Sequence, residues 1–173
     1  METINQLKAD GIAKGLCRQW QMKLTTGLSV KELAKLFIQG IDFCISEDFP
    51  TLDFLRDNFK GKCEPYGIYI DEDLTPQKNK PDIVLNGACR AMLEYDSNSV
   101  SRLYIRHESE AAVVASDNAI VTIDLFNNTK LHIHAIDNAR VYISCYGGNV
   151  DIDFFDKADK SRVEVKFYNK NYY

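Results

Sequence analysis

His132 and His134 stand two residues apart in an alternating stretch, so on a β-strand both imidazoles leave the same face. Such a pair could hold a divalent metal edge-on, with Asp124 or Asp151 joining from neighbouring strands. Two imidazoles and one distant carboxylate fall short of a full ligand set, so no metal is expected and the two histidines stay candidates only. Asp151 and Asp153 repeat the geometry with carboxylates. Paired acids that divide acid and base work are the apparatus of glycoside hydrolysis. The connections around them are too short to wall a cleft, so solubilising acids are the expectation and a hydrolase is an alternative. Asp71-Glu72-Asp73 lacks the alternating spacing and central Gly of a calcium loop, and reads as a solvated loop. The sequence carries no Gly-rich phosphate loop, nucleophile elbow or Ser/His/Asp order. No catalytic residue and no cofactor are assigned.

The elements that position these groups are legible as a repeat. Asp117 to Ile123, Asn127 to Ile133 and Asp137 to Ile143 are one unit written three times at a step of ten residues. From Ile83 onward apolar pairs one residue apart recur, among them Leu103/Ile105, Val113/Ala115, Val121/Ile123, Leu131/Ile133, Val141/Ile143 and Val150/Ile152. Asp117, Asn118, Asn127, Asn128, Asp137 and Asn138 supply the turns, where Asp and Asn tolerate left-handed backbone and can ladder on one another. A hairpin meander with two-residue turns would set Ile123 opposite His132 and mix apolar and polar side chains on both faces. A parallel β-helix stacks like on like, with the pairs inward and Thr122, His132, His134 and Tyr142 outward. The expected architecture is therefore a short, right-handed β-helix of two or three units per coil, with an antiparallel meander or sandwich as the alternative.

The N-terminal part has a period near 3.6 instead. Thr3 with Gln6, and Ser29 with Glu32, form capping boxes for helices over about 4–24 and 30–46; Pro50 and Gly61 bracket a third. The fold class is α+β: a three-helix unit over 1–74, a linker over 75–82 flanked by Pro76 and Pro81, and a repeat-built β domain over 83–173. An acidic turn, Ser46-Glu47-Asp48-Phe49, speaks against helices two and three as a DNA-reading pair.

The charge balance points the same way. Residues 1–80 hold 11 Lys+Arg against 12 Asp+Glu, and residues 81–173 hold 10 against 13. Neither half has the basic excess that phosphate-backbone binding needs, so nucleic acid is not an expected partner. The five cysteines are scattered too widely for a zinc knuckle or redox pair and read as reduced thiols. The N-terminus lacks the apolar core of a signal peptide and no run reaches membrane-span length, so cytoplasmic residence is expected. Phe167, Tyr168, Tyr172 and Tyr173 make the C-terminus aromatic, which suggests a cap or a self-association surface.

The segments Gly15-Leu16-Cys17-Arg18-Gln19-Trp20-Gln21, Gly40-Ile41-Asp42-Phe43-Cys44-Ile45 and Pro65-Tyr66-Gly67-Ile68-Tyr69-Ile70-Asp71-Glu72-Asp73, followed by the repeats, resemble a group of uncharacterised proteins of phages and mobile elements in gut bacteria. The resemblance covers most of the chain. It implies a helical head joined to a short β-helical body, a phage or prophage setting and a host cytoplasm, and it brings no catalytic residues. The body is similar in kind to bactofilin and pentapeptide-repeat coils, but its period is ten rather than five and the central Leu is missing. The functional expectation is a non-enzymatic structural or protein-interaction module, homo-oligomeric or docking a protein partner. The alternative is a small phage protein that binds a host protein or ligand to block defence.

Overall fold

A computed structural model describes residues 2–153 and 163–173. The chain forms two compact units, one of residues 1–66 with 172–173, the other of residues 67–171.

The first unit is helical: α1 (Glu2–Ala13), α2 (Arg18–Lys23), α3 (Val30–Gln39), α4 (Ile41–Ser46) and α5 (Leu52–Asn58). Each long helix expected from the periodicity is broken at a glycine. The first ends where Gly15 takes φ 90°, a backbone state open to Gly but strained for other residues. The second divides at Gly40, which caps α3 and starts α4. Ser29 and Glu32 form the expected reciprocal cap, Ser29 N donating to Glu32 Oε2 at 2.8 Å and Glu32 N to Ser29 Oγ at 3.3 Å. The expected cap at Thr3 does not form, because α1 already runs through it; Thr3 donates instead to Asn58 Oδ1 and Gln6 to Asp10. Leu7, Leu16, Phe37, Ile45, Phe49 and Leu55 are among its buried side chains. Gly11 lets the Phe49 ring come close: a Cβ there would stand 2.9 Å from its Cζ.

The second unit is a parallel β-helix with two strands per coil. One wall is ordered β1 (Ile68–Ile70), β3 (Asp82–Asn86), β5 (Val100–Ile105), β7 (Ile120–Leu125), β9 (Arg140–Cys145), β11 (Val163–Phe167). The other is ordered β2 (Gln77–Lys78), β4 (Arg90–Tyr95), β6 (Glu110–Ala115), β8 (Lys130–Ala135), β10 (Asn149–Asp153). Every pairing among the described residues is parallel, which rules out the antiparallel alternative. Residues 75–82, expected as a linker, instead supply β2 and the start of β3. The division between the units falls after Tyr66.

Strands alternate walls, so from β3 to β9 the register between paired strands is twenty residues: Val121 beside Val141, Ile123 beside Ile143, Leu131 beside Ala111. Inward slots are filled mostly with Val, Ile, Leu and Ala, and the two walls share one apolar core. Leu103, Ile105, Val113, Val121, Ile123, Leu131, Ile133, Val141 and Ile143 all lie in it, with Val150 partly buried against it. The side chain of Ile152 is outside the described residues. Cys145 fills the small inward slot expected from Ala135, and burial pushes its thiol up from the usual range.

Candidate interaction surfaces of the solenoid

The corners are built by turn residues acting across coils. Ser97, His107, Asp117, Asn127 and Asp137 all take positive φ, at steps of ten. At one corner Ser97 N donates to Asp117 Oδ2 at 2.8 Å, and Asp117 N to Asp137 Oδ2 at 3.3 Å. At the other, Gly87 N donates to His107 Nδ1 and His107 N to Asn127 Oδ1, each at 3.0 Å. Each side chain therefore satisfies a backbone N–H of the coil before it, which a tight corner leaves without a ladder partner. Asn138 Nδ2 donates to Asn118 Oδ1 at 3.3 Å, and Asn128 N donates to His107 O. Asp71, at φ 48°, accepts from Ala88 N at 3.0 Å, a bond that runs the other way between coils, so the acidic triplet begins at a bonded corner rather than in a free loop.

A second corner row escaped the sequence reading. Asn86, Arg106, Phe126 and Tyr146 recur at twenty residues, and Tyr168, directly after β11, continues the row. Arg106 is 2% exposed, with Nη1 donating to Asn86 Oδ1 at 3.1 Å. Phe126 and Tyr146 stack at 5.1 Å between centroids, and Tyr146 and Tyr168 at 4.6 Å. Tyr168, expected in a cap or a self-association surface, lays one ring face on its own solenoid. Phe167 is 75% exposed, and Tyr172 and Tyr173 fall in the helical unit.

Outward rows carry the polar chemistry. Lys130 Nζ lies 2.6 Å from Glu110 on one wall, and Arg102 Nη2 lies 2.7 Å from Asp82 on the other. The Lys130 hydrogen bond holds the Glu110 carboxyl below its usual value. His132 Nδ1 lies 3.4 Å from Asp151 Oδ2, both well exposed. The register sets His134 beside Asp153, whose side chain is outside the described residues. Asp124 cannot join them: it sits on β7, in the opposite wall from β8. Among the described residues no three metal-ligating side chains converge. The wall of β7, β9 and β11 bears an open groove of about 650 Å³ lined by Asn118, Ile120, Asn138, Arg140, Tyr142 and Glu164. It offers two amides, a phenol ring, a cation and an anion side by side.

The fold and its rows define a two-walled β-solenoid. No family model, curated protein or solved structure matches the chain. Among the described residues, no helix is long and apolar enough to cross a membrane.

Proposed function

We propose that this protein is a non-enzymatic structural or protein-interaction module, in which stacked coils display fixed outward rows to a second copy or to a protein partner. The observation that carries this reading is the parallel register, twenty residues from Arg102 to Thr122 to Tyr142 and twenty-two on to Glu164, which sets these side chains in one outward row. Backbone already fixed by strand pairing has no ordering cost on binding, which favours recognition by a preformed surface. The groove beside Arg140 and Tyr142 is the part of that surface with the most varied chemistry. The phage or mobile-element setting belongs to the proposal on the strength of the resemblance alone.

The test is purification of the full chain from the cells that produce it, with mass measurement of the native species. A complex, with itself or another protein, that is lost in Arg140→Glu/Tyr142→Ala or in an edge-strand variant supports the reading. A lone monomer under every condition removes it. A second reading, a small ligand held in the groove, follows from the same lining residues. Native mass spectrometry tests it by looking for a retained small molecule that Tyr142→Ala releases.

A further inference from the structure

β11 ends its wall, so one side of it faces no other described strand. Tyr168 N donates to Cys145 O at 2.9 Å. In a parallel ladder the main-chain groups of alternate residues point to the same side. Glu164 and Lys166 therefore direct theirs toward β9, and Val163, Val165 and Phe167 direct theirs outward. Their side chains tell a matching story. Val163 is buried in the core, Val165 is half-buried against it and Phe167 is 75% exposed. The apolar row thus opens progressively toward the end of the strand.

Unpaired edges invite another strand, and proteins ordinarily block them with charge or proline. The sequence of β11, Val163-Glu164-Val165-Lys166-Phe167, has no proline, and its two charges are opposite in sign, so they complement one another when the strand meets its own copy. Turned antiparallel on itself about Val165, it sets Glu164 against Lys166 of the second copy, twice. The same turn sets Val163 against Phe167 and Val165 against itself. Val163, Val165 and Phe167 then fall at hydrogen-bonded positions, where their outward main-chain groups find partners. Glu164 and Lys166 fall at the non-hydrogen-bonded positions, where opposed side chains come closest. Within one chain these two already lie 3.2 Å apart, so pairing exchanges one ion-pair partner for another. The neighbouring edge, β10, lacks this match: paired with itself over its full length it sets Asp151 against Asp151.

We infer that two copies of this chain associate through β11, strand to antiparallel strand about a two-fold axis at Val165, joining their walls into one continuous sheet. This rests on the interaction-module reading above. A two-fold contact of this kind closes on itself and stops at a dimer.

Sedimentation equilibrium of the full chain, from micromolar to millimolar concentration, tests the assembly. The expected result is a monomer–dimer equilibrium. Glu164→Lys and Lys166→Glu each replace two attractive contacts with repulsive ones, and each should weaken the dimer by about tenfold. Mixing the two variants, or combining both changes in one chain, should restore it. Val165→Pro should abolish the dimer while leaving the thermal transition nearly unchanged, because that N–H faces away from β9 and proline is tolerated at such edge positions. A strict monomer, a species that grows beyond two copies, or a dimer that survives Val165→Pro or gains nothing from mixing overturns the inference. Retention of a groove-bound partner in any of these cases leaves the broader reading standing.

Discussion

Tyr168 lies flat against Tyr146, with ring centroids 4.6 Å apart and planes 8° from parallel. Tyr146 is in turn stacked on Phe126 at 7°, so one ring ties three successive rungs of a wall. Removing it leaves both neighbours with an open face. Tyr146→Ala should cost about 2–4 kcal/mol, and Tyr146→Phe well under half of that, because the phenylalanine ring keeps both stacked faces. Urea unfolding of the two variants measures the difference.

Asp117 does two jobs at its corner. It holds φ 53° and accepts the Ser97 N–H at 2.8 Å. Asp117→Asn keeps both and should change stability by less than about 0.5 kcal/mol. Asp117→Val keeps neither, since a β-branched residue is strained at positive φ, and should cost about 2–3 kcal/mol. Asp117→Gly, which relieves the backbone but loses the acceptor, should fall between them in the same unfolding series.

Tyr95 is 1% exposed, and among the described residues its hydroxyl has no hydrogen-bond partner. Burial pushes the phenol well above its usual value. A buried polar group without a partner lowers stability, so Tyr95→Phe should raise it by about 1 kcal/mol. A loss on calorimetric melting would show that the hydroxyl is satisfied in solution.

Asp96 gives the protein an acid limb. The Asn79 amide at 2.6 Å, and then the Lys78 ammonium at 2.5 Å, hold its carboxyl below the ordinary 3.8. A folded pKa below the unfolded one contributes stability above the unfolded value and loses it as pH falls through the folded value. Wild type should therefore lose stability below about pH 4, and Asp96→Asn should lose less. Lys78 has the opposite sign: the same contact raises it above 10.5, so its contribution is complete below that value and is lost as pH rises from there through the raised one. Melting temperatures of both proteins across the pH range check the two limbs.

Side-chain alternation and turn chemistry made the parallel stack legible, because the same inward slots recur under the same corners. The frame was harder to read. Register aligns Ser101 with Val121 and Ala111 with Leu131, so Ser101 and Ala111, not Ile105 and Ala115, are the true partners of Leu103 and Val113. A buried serine, 1% exposed in an apolar slot, disguised a strict period of ten from β4 to β9 as a drifting one. Ser101→Val should stabilise the fold by about 1 kcal/mol. The candidate cluster failed at Asp124 for a different reason. Adjacent units in sequence lie on opposite walls, and only units two steps apart touch side by side. The aromatic corner row was hidden in the same way, since its members are spaced by a whole coil and differ in type from Asn86 to Tyr168. At Gly147 and Gly148 the coil shortens to nineteen residues, Lys130 pairing with Asn149. A Cβ on either glycine would come within 2.6 Å of the backbone of Asn127 or Thr129, a close approach that composition alone does not announce.

Because one circuit of the chain consumes twenty residues between like positions, the body can change size only in whole circuits. Duplicating twenty residues would lengthen it by one strand spacing, about 4.8 Å, with every outward row simply extended. Duplicating ten would send each downstream segment to the opposite wall and scramble the displayed surface while leaving the interior apolar. Growth of such a body is thus counted in steps, and the outward pattern follows the count.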